Sequence, residues 1–238
     1  MTTVDPLAEK HYTISPYSYC SGNPINRIDP NGMDDYIFTK EGKLVLALKT
    51  DNKNDKVYAM TEKGGIDKKK SMNISKDVIS SKVTKSINTI NREGYVLPAN
   101  VDIFTSFENK QSIDFSEFLG ENSNVEWTHI KAKVDNMPGY DEVNYLGTMY
   151  SDGDDASQLY LMDFIPKGVK ILEAIHNHTN ATTWVSQGDL DVATKIQTRF
   201  PNVKFFIYSR IYGTKDYQYT SYDMFSTPGL LKEVIVKP

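Results

Sequence analysis

With 238 residues, the chain is long enough to bury one sizeable core with a small appendage. A formal net charge of −4, with 24% charged residues, argues against a nucleic-acid binder, because neutralising phosphates needs a basic surface. The single cysteine, Cys20, excludes an internal disulfide and a thiolate zinc cluster, and no window approaches the roughly eighteen apolar residues of a membrane span.

The N-terminus, MTTVDPLAEKHYTISPYSY, has no basic start followed by an apolar stretch, so a signal peptide is not expected. Residues 1–33 are dense in turn signals: Asn23-Pro24, Asp29-Pro30 and Asn31-Gly32. Read from composition alone, this is a loose tail. Its wording, however, resembles the C-terminal end of an RHS repeat-associated core, in which a proline is followed after four residues by Asp-Pro-x-Gly. Here Pro24 precedes Asp29-Pro30-Asn31-Gly32. That resemblance implies a junction cleaved shortly after the glycine, with everything after Met33 as cargo. The large cage of such proteins is absent from this chain.

DYIFT, KLVLALKT and KVYAMTEK, within 35–63, are three short strand candidates of a β-meander. GGIDKKKSM is a charged connector. From Ser75 to about Arg92, Val78, Ile79, Val83, Ile87 and Ile90 fall at helical spacing, and a second helix is expected near 106–119. NVEWTHIKA, EVNYLGTMY, SQLYLMDFI and VKILEAIHNH then read as strands. A helix follows over about 187–199, stopped by Pro201, and VKFFIYSRI, YQYTSYDMF and LLKEVIVK close the chain as strands. The fold class is α+β, close to α/β: a mixed sheet flanked by helices. The division expected is 1–33 as junction, 34–72 as a small β-unit with linker, and 73–238 as the main domain.

The chemistry concentrates in HNHTNATTWVSQGD, residues 176–189, which holds two of the four histidines. On a strand, residues i and i+2 share a face, so His176 and His178 project side by side, while Asn177 and Glu173 point away. Two such imidazoles fill adjacent corners of a zinc tetrahedron. Ser186 and Asp189 stand at the spacing of a helix capping box, which by itself explains both. Asp189 in the first helical turn is equally placed to lean back as a third ligand, and the two readings are compatible.

His-x-His, seven residues, Ser, two residues, Asp is the JAMM pattern, and over His176, His178, Ser186 and Asp189 the chain resembles the JAB/MPN metallopeptidases without a gap. Two departures stand beside it. The usual Ser or Thr between the histidines is Asn177, and the usual Pro after the second is Thr179. The resemblance implies a cytidine-deaminase-like arrangement and Zn²⁺ on His176, His178 and Asp189. It also implies an upstream glutamate as general base, and a Ser186 hydroxyl bonding the oxyanion of peptide or isopeptide hydrolysis. Glu126 in NVEWTHIKA is the candidate base, with Glu142 its competitor. His129 and His11 are set aside as structural.

Together with the junction, the motif resembles a JAB-like toxin of bacterial polymorphic toxins. That implies a secreted effector, a target protein in a competing cell and a cognate immunity protein in the producer. Two other classes stay open. One is a non-catalytic MPN-like binding module. The other is a metal-dependent nuclease, which the lack of a basic stretch beside HNHTN disfavours.

Overall fold

The computed structural model describes residues 34–48, 54–90, 96–134, 139–151, 157–166 and 169–228. The junction-like segment 1–33 and the expected last strand, LLKEVIVK, lie outside them.

Two mixed sheets form. The small one comprises β1 (Asp34–Phe38), β2 (Leu44–Leu48), β3 (Asn54–Met60) and β4 (Ile66–Ser75), in the order β2-β1-β3-β4. It is not a meander, because β1 pairs with β3 in parallel. The charged connector belongs to β4, and the expected boundary at 72/73 falls within that strand. Lys68, Lys69 and Lys70 are exposed along this edge, where lysines discourage pairing with another chain.

The large sheet comprises β5 (Val83–Ile90), β6 (Val96–Ser106), β7 (Thr128–Lys133), β8 (Glu142–Thr148), β9 (Lys170–Asn177), β10 (Lys204–Arg210) and β11 (Tyr217–Tyr222). Its order is β11-β10-β9-β7-β8-β6-β5. Every neighbouring pair is antiparallel except β9 and β10. That parallel pair needs a crossover, supplied by α4 (Gln187–Arg199), the helix expected over 187–199. The helix near 106–119 is α2 (Asn109–Asn122).

Two expectations are corrected. The stretch 75–92 is not one helix but the five-residue α1 (Lys76–Ser80) followed by strand β5. Val83 and Ile87 are four apart, which keeps them on one face of a strand as well as of a helix. The β-branched content of VTKSINTI and its pairing with β6 decide for strand. The second correction is SQLYLMDFI, which is α3 (Ser157–Phe164) rather than a strand. Gln158, Leu161, Met162 and Ile165 are buried, and they fall at i, i+3, i+4 and i+7, the spacing of one helix face. Short apolar runs fit both periods, and packing decides between them.

The helices sit on both faces of the large sheet. On one face, Leu161, Met162 and Ile165 of the α3 segment and Leu190, Ala193 and Ile196 of α4 pack against Ile130, Tyr145, Ala174, Phe205 and Ile207. On the other, Phe115 and Leu119 of α2 share a core with Phe38, Val57 and Ile74 of the small sheet and with Phe104, Trp127 and Leu146. The small sheet therefore packs directly on the large one.

His129 lies on this second face, fully buried, with Nε2 2.8 Å from Asn144 Oδ1. Burial holds its imidazole down at about 4, more than the Asn144 bond raises it, with Lys131 adding a further depression. The folded state thus binds fewer protons than the unfolded state between the ordinary value of 6.5 and about 4. Stability from this group is present above pH 6.5 and lost as pH falls through 4, amounting to roughly 3 kcal/mol. A His129→Gln variant, followed by urea unfolding from pH 7 to 4, should lose less stability across that window than the parent. Parallel curves for the two proteins would reject the assignment.

Candidate metal centre

The site forms where a strand ends and a helix begins. β9 delivers the histidines at its carboxyl end, the chain loops through 178–186, and α4 starts beside them before returning along the sheet. In open sheets with parallel strands, the carboxyl ends of the strands are where loops leave a crevice. His178 lies one residue beyond β9 but stays extended, its N–H donating to the Tyr208 carbonyl at 3.1 Å.

Ser186 is the N-cap of α4. Its Oγ accepts from the Asp189 N–H at 3.1 Å, and Asp189 Oδ2 accepts from the Ser186 N–H at 2.7 Å. This capping box fixes the carboxylate. Asp189 Oδ1 lies 3.0 Å from His176 Nε2, Asp189 Oδ2 lies 3.5 Å from His178 Nε2, and the two Nε2 atoms are 3.1 Å apart. Capping and convergence coexist, as the first helical turn permits. The Ser186 oxygen is occupied as an acceptor, which leaves its O–H to donate outward from an exposed position.

Proton accounting shows what this cluster suits. His178 Nδ1 lies 3.1 Å from the Thr182 carbonyl oxygen, which can only accept, so Nδ1 carries the proton. In the neutral ring, Nε2 then holds a lone pair aimed at the Asp189 carboxylate and at His176. Such acceptors are satisfied by a proton on His176 Nε2 or by a cation held between them. The two Nε2 atoms 3.1 Å apart and Asp189 Oδ1 3.0 Å from His176 Nε2 lie near the roughly 3.3 Å edge of a tetrahedron with ligands about 2.0–2.1 Å from its centre, and the 3.5 Å approach to His178 is made by the other carboxylate oxygen. Among the described residues, His176, His178 and Asp189 form the one group of three such side chains able to hold an ion. The donor set fits zinc.

The electrostatics agree. Burial holds the His176 imidazole below its ordinary value, even though Asp189 pulls it up. Burial works to raise Asp189, but its close contacts with His176 and His178 and the hydrogen bond from the Ser186 N–H overcome it, and the carboxyl rests well below the usual range. A carboxylate beside a neutral imidazole is the protonation state a metal site requires.

Glu126 does not lie in a strand, as expected, but in the segment just ahead of β7. The register pairs Thr128 with His176, and the Asn177 N–H donates to the Trp127 carbonyl at 3.2 Å. Continued by one more step, that register would set Glu126 opposite His178. The Glu126 and Asp189 carboxylates both push the Tyr222 hydroxyl upward in pKa, after burial itself, so both charges lie near one ring.

The Glu126 backbone is held on both sides. Its N–H donates to the Ser151 carbonyl at 2.8 Å, and its carbonyl accepts from Thr148 Oγ1 at 2.7 Å. The loop doing this contains Tyr150, the one non-glycine among the described residues with a left-handed backbone, at φ 62°. Its hydroxyl bonds the buried Asp102, which also pairs with Lys82 at 2.5 Å and Thr84 at 2.5 Å. Burial raises the Asp102 carboxyl, but those three partners bring it below its ordinary value.

Asn177 has a visible role. Its carboxamide accepts from the Trp127 N–H at 2.6 Å and donates to the Val125 carbonyl at 3.3 Å, bracketing Glu126. Ser or Thr, with one short hydroxyl, could not span both. Glu173 faces away from the histidines, as expected, and its charge acts on Tyr219 instead. Glu142 pairs with Lys131 at 3.2 Å. In β8 it lies five residues from Gly147, whose partner Thr128 pairs with His176; that separation is about 17 Å along the strand. It is not brought to the centre. The residues that sequence reasoning missed are Gln158, with Nε2 2.7 Å from His176 Nδ1, and Tyr222, with its hydroxyl 3.5 Å from the same atom. Neither carries a local signal in the sequence, since both arrive from distant elements.

No curated protein and no solved structure matches the chain. Residues 104–194 match the family model of JAB-like toxin 1. That stretch runs from Phe104 in β6 to Thr194 in α4 and contains Glu126, His176, His178, Ser186 and Asp189, so the match supports a JAB-like toxin domain in this chain.

Proposed function

We propose that the domain is a zinc-dependent peptidase or isopeptidase that serves as the toxic part of a delivered effector. The observation that carries this reading is the convergence of two imidazole Nε2 atoms and one carboxylate at the carboxyl end of β9. A zinc ion held by His176, His178 and Asp189 would supply the Lewis acidity that makes hydroxide available near neutral pH.

The chain's own groups do the rest. Glu126 accepts the proton of the attacking water and passes it to the nitrogen of the leaving amine as the carbon–nitrogen bond breaks. Ser186 donates its O–H to the oxygen of the attacked carbonyl as charge develops there. Thr148, Ser151 and Asn177 keep Glu126 in line. Residues 1–33 belong to this proposal as the RHS-type junction, with release after Gly32, a protein substrate in a competing cell and a cognate immunity protein in the producer.

The test is a comparison of protein termini in cells expressing the parent and an Asp189→Ala variant, together with zinc analysis of both purified chains. The expected result is about one zinc per parent chain, far less in the variant, and new termini or released modifiers only with the parent. Zinc without any difference in termini favours a binding module. Absence of zinc from the parent removes the peptidase reading.

A further inference from the structure

We propose that Gln158 is a positioning residue of the metal centre, its carboxamide selecting which nitrogen of His176 carries the proton and turning over when the ion binds. This rests on the zinc reading above and extends it to α3, an element that supplies no ligand.

Gln158 is buried, and its Nε2 lies 2.7 Å from His176 Nδ1, while its Oε1 has no hydrogen-bond partner. In this orientation the amide donates to a lone pair on Nδ1. The His176 proton then sits on Nε2 and is donated to Asp189 Oδ1 at 3.0 Å. That arrangement is closed to a cation, because Nε2 has no lone pair to offer.

The two ends of a carboxamide are nearly equal in size, so a half-turn about its last bond needs no extra room. After the turn, Oε1 accepts from Nδ1–H, and the Nε2 lone pair faces His178 and Asp189. Tyr222 follows the change. Its hydroxyl bonds Gln158 and lies 3.5 Å from His176 Nδ1. A hydroxyl that accepts from Nε2 in the first arrangement donates to Oε1 in the second. The Oε1 left unpaired is the atom that zinc binding brings into use.

His178 has no such freedom, since its Nδ1 faces a backbone carbonyl. Its Nε2 is permanently prepared to bind. The centre thus has one fixed imidazole and one whose readiness depends on Gln158. Partners of this kind commonly change metal affinity by roughly 10–100-fold.

The experiment measures zinc affinity of the whole chain by competition with a chromophoric chelator, for the parent, Gln158→Met and Gln158→Glu. Gln158→Met keeps the length but neither accepts nor donates strongly, and should weaken zinc by roughly 10–100-fold. Gln158→Glu only accepts, and should recover the parent's affinity or exceed it. A purely structural role predicts the reverse order, because a buried carboxylate harms packing more than methionine does. ¹⁵N NMR of the parent, which needs no variant, should show the His176 proton moving from Nε2 to Nδ1 as zinc is added. Equal affinity for the parent and Gln158→Met, equal losses in both variants, or an unchanged tautomer would each overturn the inference and leave the zinc reading standing. A parent that binds no zinc overturns both.

Discussion

A Glu126→Gln variant is expected to retain zinc at the parent's affinity and to lose hydrolysis by about 10²–10⁴-fold. The substitution keeps side-chain length and hydrogen bonding but removes the basic lone pair. Zinc should be unaffected because the side chains able to hold an ion are His176, His178 and Asp189, and Glu126 is not among them. The capping box and the Thr148 and Ser151 bonds engage main chain or other side chains, so the variant folds as the parent does. The assay follows cleavage of a substrate recovered from the comparison of termini, with bound zinc quantified in the same preparation. Unchanged turnover removes Glu126 from the mechanism. Lost zinc would show it to be a ligand instead.

The largest effect on stability is expected at Trp127. Its indole is 3% exposed and stands between the two sheets, with ring centroids 6.0 Å from Phe38 and 6.0 Å from Phe104. Trp127→Ala should cost about 3–5 kcal/mol, the range for truncating a large buried aromatic. Its Nε1 has no hydrogen-bond partner, so Trp127→Phe forfeits no polar contact and should cost far less. Denaturant midpoints of the two variants measure this directly. Similar midpoints for Trp127→Ala and the parent would mean that the small sheet contributes little to the common core. Because Trp127 adjoins Glu126, the alanine variant should also lose turnover faster than it loses zinc.

Gly42 supports the same junction. It lies in the β1–β2 turn with φ 78°, and a Cβ there would overlap Val125. The Lys40 carbonyl accepts from the Asn124 N–H at 2.8 Å, so this turn braces the segment that carries Glu126. The small sheet therefore bears on the site through Val125 and Trp127, although no residue of it lies among the three side chains able to hold an ion.

What the chain specified by itself about the centre is what local geometry decides. The two-residue strand period put His176 and His178 on one face, and the Ser186–Asp189 spacing built a cap at the start of α4; these follow from contacts a few residues apart. The extent of α4 was legible for the same reason, with a cap at one end and Pro201 at the other. Only the tertiary structure decided which element backs each group. Gln158 reaches His176 across 18 residues, Thr148 reaches Glu126 across 22, Tyr222 reaches His176 across 46, and Asn177 reaches Trp127 across 50. It also decided that 83–90 is a strand and 157–164 a helix, because spacings of four fit both periods until a partner takes one face. Local rules specify the ligands because backbone periodicity places them. The groups that tune those ligands come from chain segments that only packing of the whole domain brings together.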